Sequence, residues 1–130
     1  MEEKVGLASE HVKITVTSNE TPNCGGRTFD VKADPDPVIF KLSEHPQAFT
    51  IHWKVVTPGY SFPTGTVVSD PTPQNANSPA GEINQCGAGG LAMNCNNNSK
   101  SKGSWKYTIP SLRDKDGCTV PPKDPVISND

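Results

Sequence analysis

Residues 49–56 read FTIHWKVV, and this stretch decides the fold. Every second residue from Phe49 to Val55 is apolar, while the residues between them are polar. Alternation with a period of two is typical of a β-strand that has one face on a hydrophobic core and the other in solvent. We therefore predict a half-buried strand here, with Trp53 in the core.

The same period appears on both sides of this segment. Residues 11–17 read HVKITVT and residues 105–109 read WKYTI, and shorter apolar runs lie at 29–31, 38–42 and 126–127. The 13 prolines and 11 glycines disfavour long helices. The sequence therefore predicts an all-β fold, a single antiparallel Greek-key β-sandwich of about seven strands.

Residues 71–104 depart from this pattern because they hold almost no residues that form a core. The stretch is rich in Asn, Gly and Ser, and we predict a long irregular loop there. The whole chain, residues 1–130, is expected to be one domain. Residues 1–10 carry acidic side chains and no apolar segment, and we expect a loosely ordered N-terminal segment.

Charge and motif patterns exclude several classes of protein. Twelve Lys and Arg against 14 Asp and Glu give a net charge of −2, so we expect no nucleic-acid partner. No apolar run approaches the ~18 residues of a membrane span. The segment from Gly59 to Pro63 has proline where a hydrolase nucleophile elbow needs its second glycine. We expect no enzymatic activity.

The four cysteines are Cys24, Cys86, Cys95 and Cys118. They lack the close pairs that are typical of zinc sites, although a Cys₄ zinc site and free thiols stay open as alternatives. An even number of cysteines in Gly- and Asn-rich loops favours two disulfides, and of the three possible pairings we favour Cys86–Cys95 with Cys24–Cys118. Disulfides imply a periplasmic or secreted protein whose leader is not part of this sequence. A cytoplasmic location is the alternative.

Two aromatic residues, Tyr60 and Phe62, fall in a loop rich in Pro and Gly. An exposed aromatic ring on such a loop can stack on a sugar or anchor a protein partner. The alternative is that these rings close one end of the sandwich. We take Tyr60 and Phe62 as candidate ligand-binding residues.

Three segments carry a resemblance to a known family: IHWKV at 51–55, FPTG at 62–65 and GSWKY at 103–107. Their order within residues 10–130 resembles that of the cupredoxins, which implies a cupredoxin-like sandwich. An immunoglobulin-like sandwich is the alternative. A blue-copper site needs two His and one Cys thiolate, but Cys118 has no histidine after it. We therefore expect no copper and no other cofactor.

The acidic residues of 30–36 and 114–116 raise the question of calcium. An EF-hand is excluded, because the twelfth position counted from Asp114 is Pro125 rather than Glu. A calcium site in another loop geometry stays open.

These observations favour a non-enzymatic binding or structural module. We expect a monomer with a protein or glycan partner, and recognition by the loop that bears Tyr60 and Phe62 and by the long insertion at 71–104. The alternative is a metal-binding protein, either a degenerate cupredoxin or a loop calcium site.

Overall fold

The computed structural model describes residues 11–130, and within that range the protein is a β-sandwich. The described residues form eleven strands, of which seven have four or more residues and four are shorter. The strands are β1 (His11–Ser18), β2 (Phe29–Asp34), β3 (Val38–Phe40), β4 (Phe49–Val55), β5 (Thr72–Pro73), β6 (Ile83–Gly89), β7 (Ala92–Asn97), β8 (Gly103–Lys106), β9 (Leu112–Arg113), β10 (Thr119–Val120) and β11 (Val126–Asn129). The expectation for residues 1–10 lies outside the described residues.

Two sheets form the sandwich. A five-stranded sheet has the order β2-β1-β4-β7-β6, and a four-stranded sheet has the order β3-β11-β8-β5. The short strands β9 and β10 form a separate two-stranded ribbon. Two turns of 3₁₀ helix, Cys24–Gly26 and Leu42–Glu44, lie in the connections.

The prediction that the sandwich is antiparallel throughout is wrong at two strand pairs. Strand β1 pairs with β4 in parallel, and β3 pairs with β11 in parallel. A parallel pair needs a crossover connection. After β2 the chain passes to the opposite sheet as β3 and then returns as β4, so β4 runs in the same direction as β1.

The core lies between the sheets, where the apolar positions of the alternating strands meet. In β1 and β4 every second residue is buried, as the sequence predicts. Burial of such apolar side chains contributes about 1.5–3 kcal/mol each relative to leaving them exposed. The largest fully buried side chains include Trp53, Trp105, Phe40, Ile51 and Met93.

The prediction of an irregular loop over residues 71–104 is wrong. Strands β5, β6 and β7 lie within it, β8 begins in it, and β6 and β7 form a hairpin in the five-stranded sheet. The inward positions of β7 are Met93, Cys95 and Asn97, all of them buried. The hairpin turn is the pair Gly90-Leu91, and Gly90 supplies the positive φ of 59° that such a turn requires.

A buried polar cluster explains why asparagine occupies core positions. The side chains of Asn97, on β7, and Asn129, on β11, hydrogen-bond each other at 2.8 and 3.0 Å and so connect the two sheets. A carboxylate oxygen of Glu82 accepts bonds of 2.8 Å from the backbone N–H groups of Lys100 and Ser101. Buried polar groups with partners of this kind are stable inside a protein, whereas unpaired ones are costly.

Candidate functional site

Three loops converge at one end of the sandwich and enclose a cleft of about 360 Å³. They are residues 19–28 between β1 and β2, 56–71 between β4 and β5, and 114–118 between β9 and β10. The disulfide Cys24–Cys118 joins the first loop to the third. Backbone bonds between Ser61 and Arg113, 3.0 and 2.8 Å long, hold the second loop against β9.

Tyr60 lies in the wall of this cleft, with its side chain half-buried. Its ring packs edge-on against the ring of Phe29, with 6.3 Å between the centroids. Gly59, beside it, has a φ of 90°, which favours glycine. The loop therefore holds the Tyr60 ring at the cleft with a fixed backing of core side chains.

Phe62 is buried, which differs from the expectation that it binds a ligand. Its side chain is only 3% exposed and belongs to the hydrophobic core. The backbone N–H of Phe62 donates a 2.8 Å hydrogen bond to the carbonyl of Gly90, which fixes this part of the loop on the β6–β7 hairpin. Phe62 therefore closes the end of the sandwich, and of the two candidate residues only Tyr60 faces the cleft.

Arg27 lines the cleft and joins its first loop to its third. One of its guanidinium nitrogens donates to the carboxylates of Asp114 at 2.6 Å and Asp116 at 2.9 Å. Its Nε and its other terminal nitrogen donate to the carbonyl of Thr21, at 2.8 and 2.5 Å. The side chains of Arg27 and Asp114 are 7% and 5% exposed. Charge-assisted bonds between such buried groups fix the relative positions of the loops.

The same contacts set the protonation of these groups. Burial of the Asp114 carboxylate raises its pKa, but hydrogen bonds from Arg27 and from the backbone N–H groups of Cys118 and Asp116 outweigh burial, so its pKa is lowered. The hydrogen bond from Arg27, together with that from Lys115, lowers the pKa of Asp116. Both carboxylates are therefore ionised at neutral pH.

The remaining wall of the cleft is polar. Thr17 and Ser18 at the end of β1, Glu20, Thr57 and Lys115 line it. Arg27 and Asp114 are engaged with each other. The hydroxyls of Thr57 and Ser18 accept backbone hydrogen bonds but can still donate, and the Lys115 ammonium contacts Asp116 but keeps further donors. These groups and the exposed Glu20 carboxylate can therefore contact a ligand. Such a set can hydrogen-bond a polar molecule, while the Tyr60 ring supplies an apolar surface.

The sequence did not indicate Arg27, Glu20 or Lys115 as parts of a site. The predicted Cys24–Cys118 disulfide is the sequence feature that points to this site. A bridge between these cysteines brings the NCGGR segment of 23–27 next to the DKDG turn of 114–117. None of the described cleft-lining residues belongs to 71–104, which we also expected to carry recognition.

Both favoured disulfides are present. Cys24 is bonded to Cys118, and Cys86 is bonded to Cys95 across the β6–β7 hairpin. All four cysteines of the chain are thus bridged, so the zinc and free-thiol alternatives do not describe this structure. Disulfides form and persist in oxidising compartments.

Three of the acidic residues considered for metal binding are engaged in other contacts. Asp114 and Asp116 bind Arg27, and Asp36 accepts a 3.1 Å bond from the backbone of Val126. Of the histidines, His45 is buried, whereas His11 and His52 are exposed. Residues 11–130 contain no group of three or more His, Cys, Asp or Glu side chains arranged to hold a metal ion.

Comparison with known proteins adds no assignment. No protein-family model matches the chain, and no curated protein is similar to it in sequence. Within residues 11–130, no helix has the length and apolar character needed to cross a membrane.

Proposed function

We propose that the protein is a non-enzymatic binding module whose recognition site is the cleft at Tyr60. The observation that carries this proposal is the half-buried Tyr60 ring in a cleft of about 360 Å³ with polar walls. Its volume falls within the range of about 300–1,000 Å³ that small-ligand sites occupy. Loops held at one end of a rigid sandwich are a common location for recognition.

The ligand class that best fits the cleft is a saccharide. A sugar has an apolar C–H face that packs on an aromatic ring and hydroxyls that both donate and accept hydrogen bonds. Tyr60 provides the ring, and Ser18, Glu20 and Lys115 provide groups of both kinds. The Arg27–Asp114 pair and the Cys24–Cys118 bridge hold the loops in place, which lowers the entropy lost on binding.

The two disulfides support a periplasmic or secreted location. Glycans of cell envelopes and extracellular matrices are present in those compartments, so the ligand class and the location agree. The protein acts there as a monomeric module that holds its ligand without chemical conversion.

The test compares wild type with Tyr60→Ala and Tyr60→Phe on an array of bacterial, plant and animal glycans. We expect wild type to bind one class of glycan, Tyr60→Phe to retain most of the binding, and Tyr60→Ala to lose about tenfold or more in affinity, which corresponds to about 1.4 kcal/mol. Retained disulfides by intact mass and an unchanged circular dichroism spectrum show that each variant is folded.

Two results would overturn the proposal. The first is the absence of glycan binding by folded wild type at millimolar concentration, including the case in which wild type captures only a protein partner. The second is equal binding by wild type and Tyr60→Ala.

A further inference from the structure

The outer face of the five-stranded sheet carries a row of side chains from three neighbouring strands. His11 on β1 lies opposite His52 on β4, and His52 lies opposite Asn94 on β7. All three are exposed. The row shares no residue with the set that lines the cleft at Tyr60, so a site on this face is independent of the proposed function.

The two imidazole rings are stacked. Their centroids are 5.3 Å apart, and the angle between the ring planes is 17°. A shallow depression of about 290 Å³ lies beside them, lined also by Leu91 and Ala92. Because His11 is on the exposed face, a rotation of its ring about the Cβ–Cγ bond meets little resistance from packing.

A hydrogen bond fixes the tautomer of His52. Nδ1 of His52 lies 2.7 Å from the amide oxygen of Asn94. An amide oxygen only accepts hydrogen bonds, so Nδ1 carries the proton, and Nε2 of the neutral ring keeps its lone pair. Metal-binding histidines show this arrangement, in which the nitrogen that does not bind the metal donates to an oxygen acceptor.

We propose that His11 and His52 form a two-imidazole site for a divalent late transition-metal ion, with Asn94 as the residue that positions His52. Bonds from a metal to imidazole nitrogen are about 2.0–2.1 Å long, so two cis ligands need their nitrogens about 3 Å apart. The site forms when the His11 ring rotates to bring one of its nitrogens to this distance from Nε2 of His52, while His52 keeps its hydrogen bond to Asn94.

The order of affinity follows from the ligands. Imidazole suits Cu²⁺, Ni²⁺ and Zn²⁺, and Cu²⁺ binds most tightly among divalent first-row ions. The two protein ligands leave further coordination positions, which water fills. The site therefore differs from a blue-copper centre, which needs a cysteine thiolate, because each cysteine of this chain is in a disulfide.

Neighbouring charges limit the affinity. Lys13 and Lys54 occupy the next exposed positions on β1 and β4 and lie opposite each other, and Asp34 lies opposite Lys13 on β2. The two ammonium groups repel a bound cation, and among these described neighbours a single carboxylate offsets them. Removal of the Lys54 charge is therefore expected to tighten metal binding.

The test is a calorimetric titration of full-length, tag-free protein with Cu²⁺ in a buffer that does not bind metals, combined with electron paramagnetic resonance of the complex. We expect one Cu²⁺ per chain and the spectral signature of two imidazole nitrogens. Loss of a metal ligand lowers the metal affinity at least as much as loss of a residue that hydrogen-bonds that ligand. H11A and H52A should therefore each weaken Cu²⁺ binding by about tenfold or more.

Matched variants on the same face sharpen the test. T50A, exposed on the same strand, leaves the affinity unchanged, and K54Q raises it. N94D raises it further, because a carboxylate is a stronger acceptor for the Nδ1 proton than an amide. Unchanged Cu²⁺ affinity in H52A, a spectrum with a single imidazole, or no binding by wild type at millimolar Cu²⁺ would each overturn the proposal.

Discussion

The indole N–H of Trp53 donates a hydrogen bond of 2.8 Å to the phenolic oxygen of Tyr107 in the core of the sandwich. Trp53 lies on β4 of the five-stranded sheet, and Tyr107 directly follows β8 of the four-stranded sheet. The contact therefore connects the two sheets. Burial raises the pKa of the Tyr107 hydroxyl well above its usual value, although the bond from Trp53 opposes this effect.

Tyr107→Phe is expected to destabilise the protein by about 1–3 kcal/mol, because it leaves the buried N–H of Trp53 without an acceptor. Equilibrium unfolding in urea measures the change. Tyr60→Phe is the matched control, since it removes a hydroxyl from a half-buried ring, and it should change stability by less than about 0.5 kcal/mol. Equal urea midpoints for wild type and Tyr107→Phe would contradict the assigned role of the hydrogen bond.

Asp114→Asn is expected to lower stability at pH 7 and to have little effect in acid. The folded pKa of Asp114 is lowered, so its contribution is fully present above its unfolded pKa of about 3.9 and is lost as the pH falls through the folded value. Thermal unfolding of both proteins between pH 7 and pH 2 measures this. The two melting curves should converge below about pH 4. A difference in melting temperature between the two proteins that stays constant from pH 7 to pH 2 would show that ionisation of Asp114 does not contribute to stability.

The two disulfides are expected to differ in their contribution to stability. The Cys24–Cys118 bridge spans 94 residues of sequence and the Cys86–Cys95 bridge spans 9. In the chain-entropy account, replacing the first pair by alanine costs about 4–5 kcal/mol and replacing the second about 2–3 kcal/mol. Urea unfolding of the two double variants tests whether loss of the first bridge costs more stability than loss of the second. Intact mass verifies that the remaining bridge is formed in each variant. An equal or reversed order would contradict it.

Limited proteolysis is expected to separate two parts of the 71–104 segment. Residues 72–77 are exposed and lie mostly outside strands, whereas 86–95 lie in a hydrogen-bonded hairpin closed by a disulfide. A protease of broad specificity, used without reductant, should therefore cut first within 72–77. Equally fast cleavage within 86–95 would show that the hairpin is not stably formed.

The all-β class could be predicted from the sequence because β1 and β4 follow the period of two that a half-buried strand requires. The pairing of Cys86 with Cys95 and of Cys24 with Cys118 could also be predicted, because a bridge between the two cysteines nearest in sequence leaves the other two to pair. The premise that all four cysteines lie in loops is wrong, since Cys86 lies on β6 and Cys95 on β7. The resemblance to the cupredoxins stays a prediction.

The β6–β7 hairpin could not be predicted, because its inward positions include Asn97, which is buried through its bonds to Asn129 rather than through apolar character. The parallel pairing of β1 with β4 and the cleft also depend on contacts between distant parts of the chain. Arg27 meets Asp114 across 87 residues of sequence, and no local pattern records that contact.

The most direct test of the central claim is a nuclear magnetic resonance titration of ¹⁵N-labelled protein with the glycan that the array selects. If the cleft is the recognition site, the backbone amide signals of Ser18, Gly59, Tyr60 and Lys115 should shift together and saturate at one ligand per chain. The amides of Lys13, His52 and Asn94, on the outer sheet face, should not move. Shifts confined to that outer face, or no saturable shift at the cleft, would contradict the account.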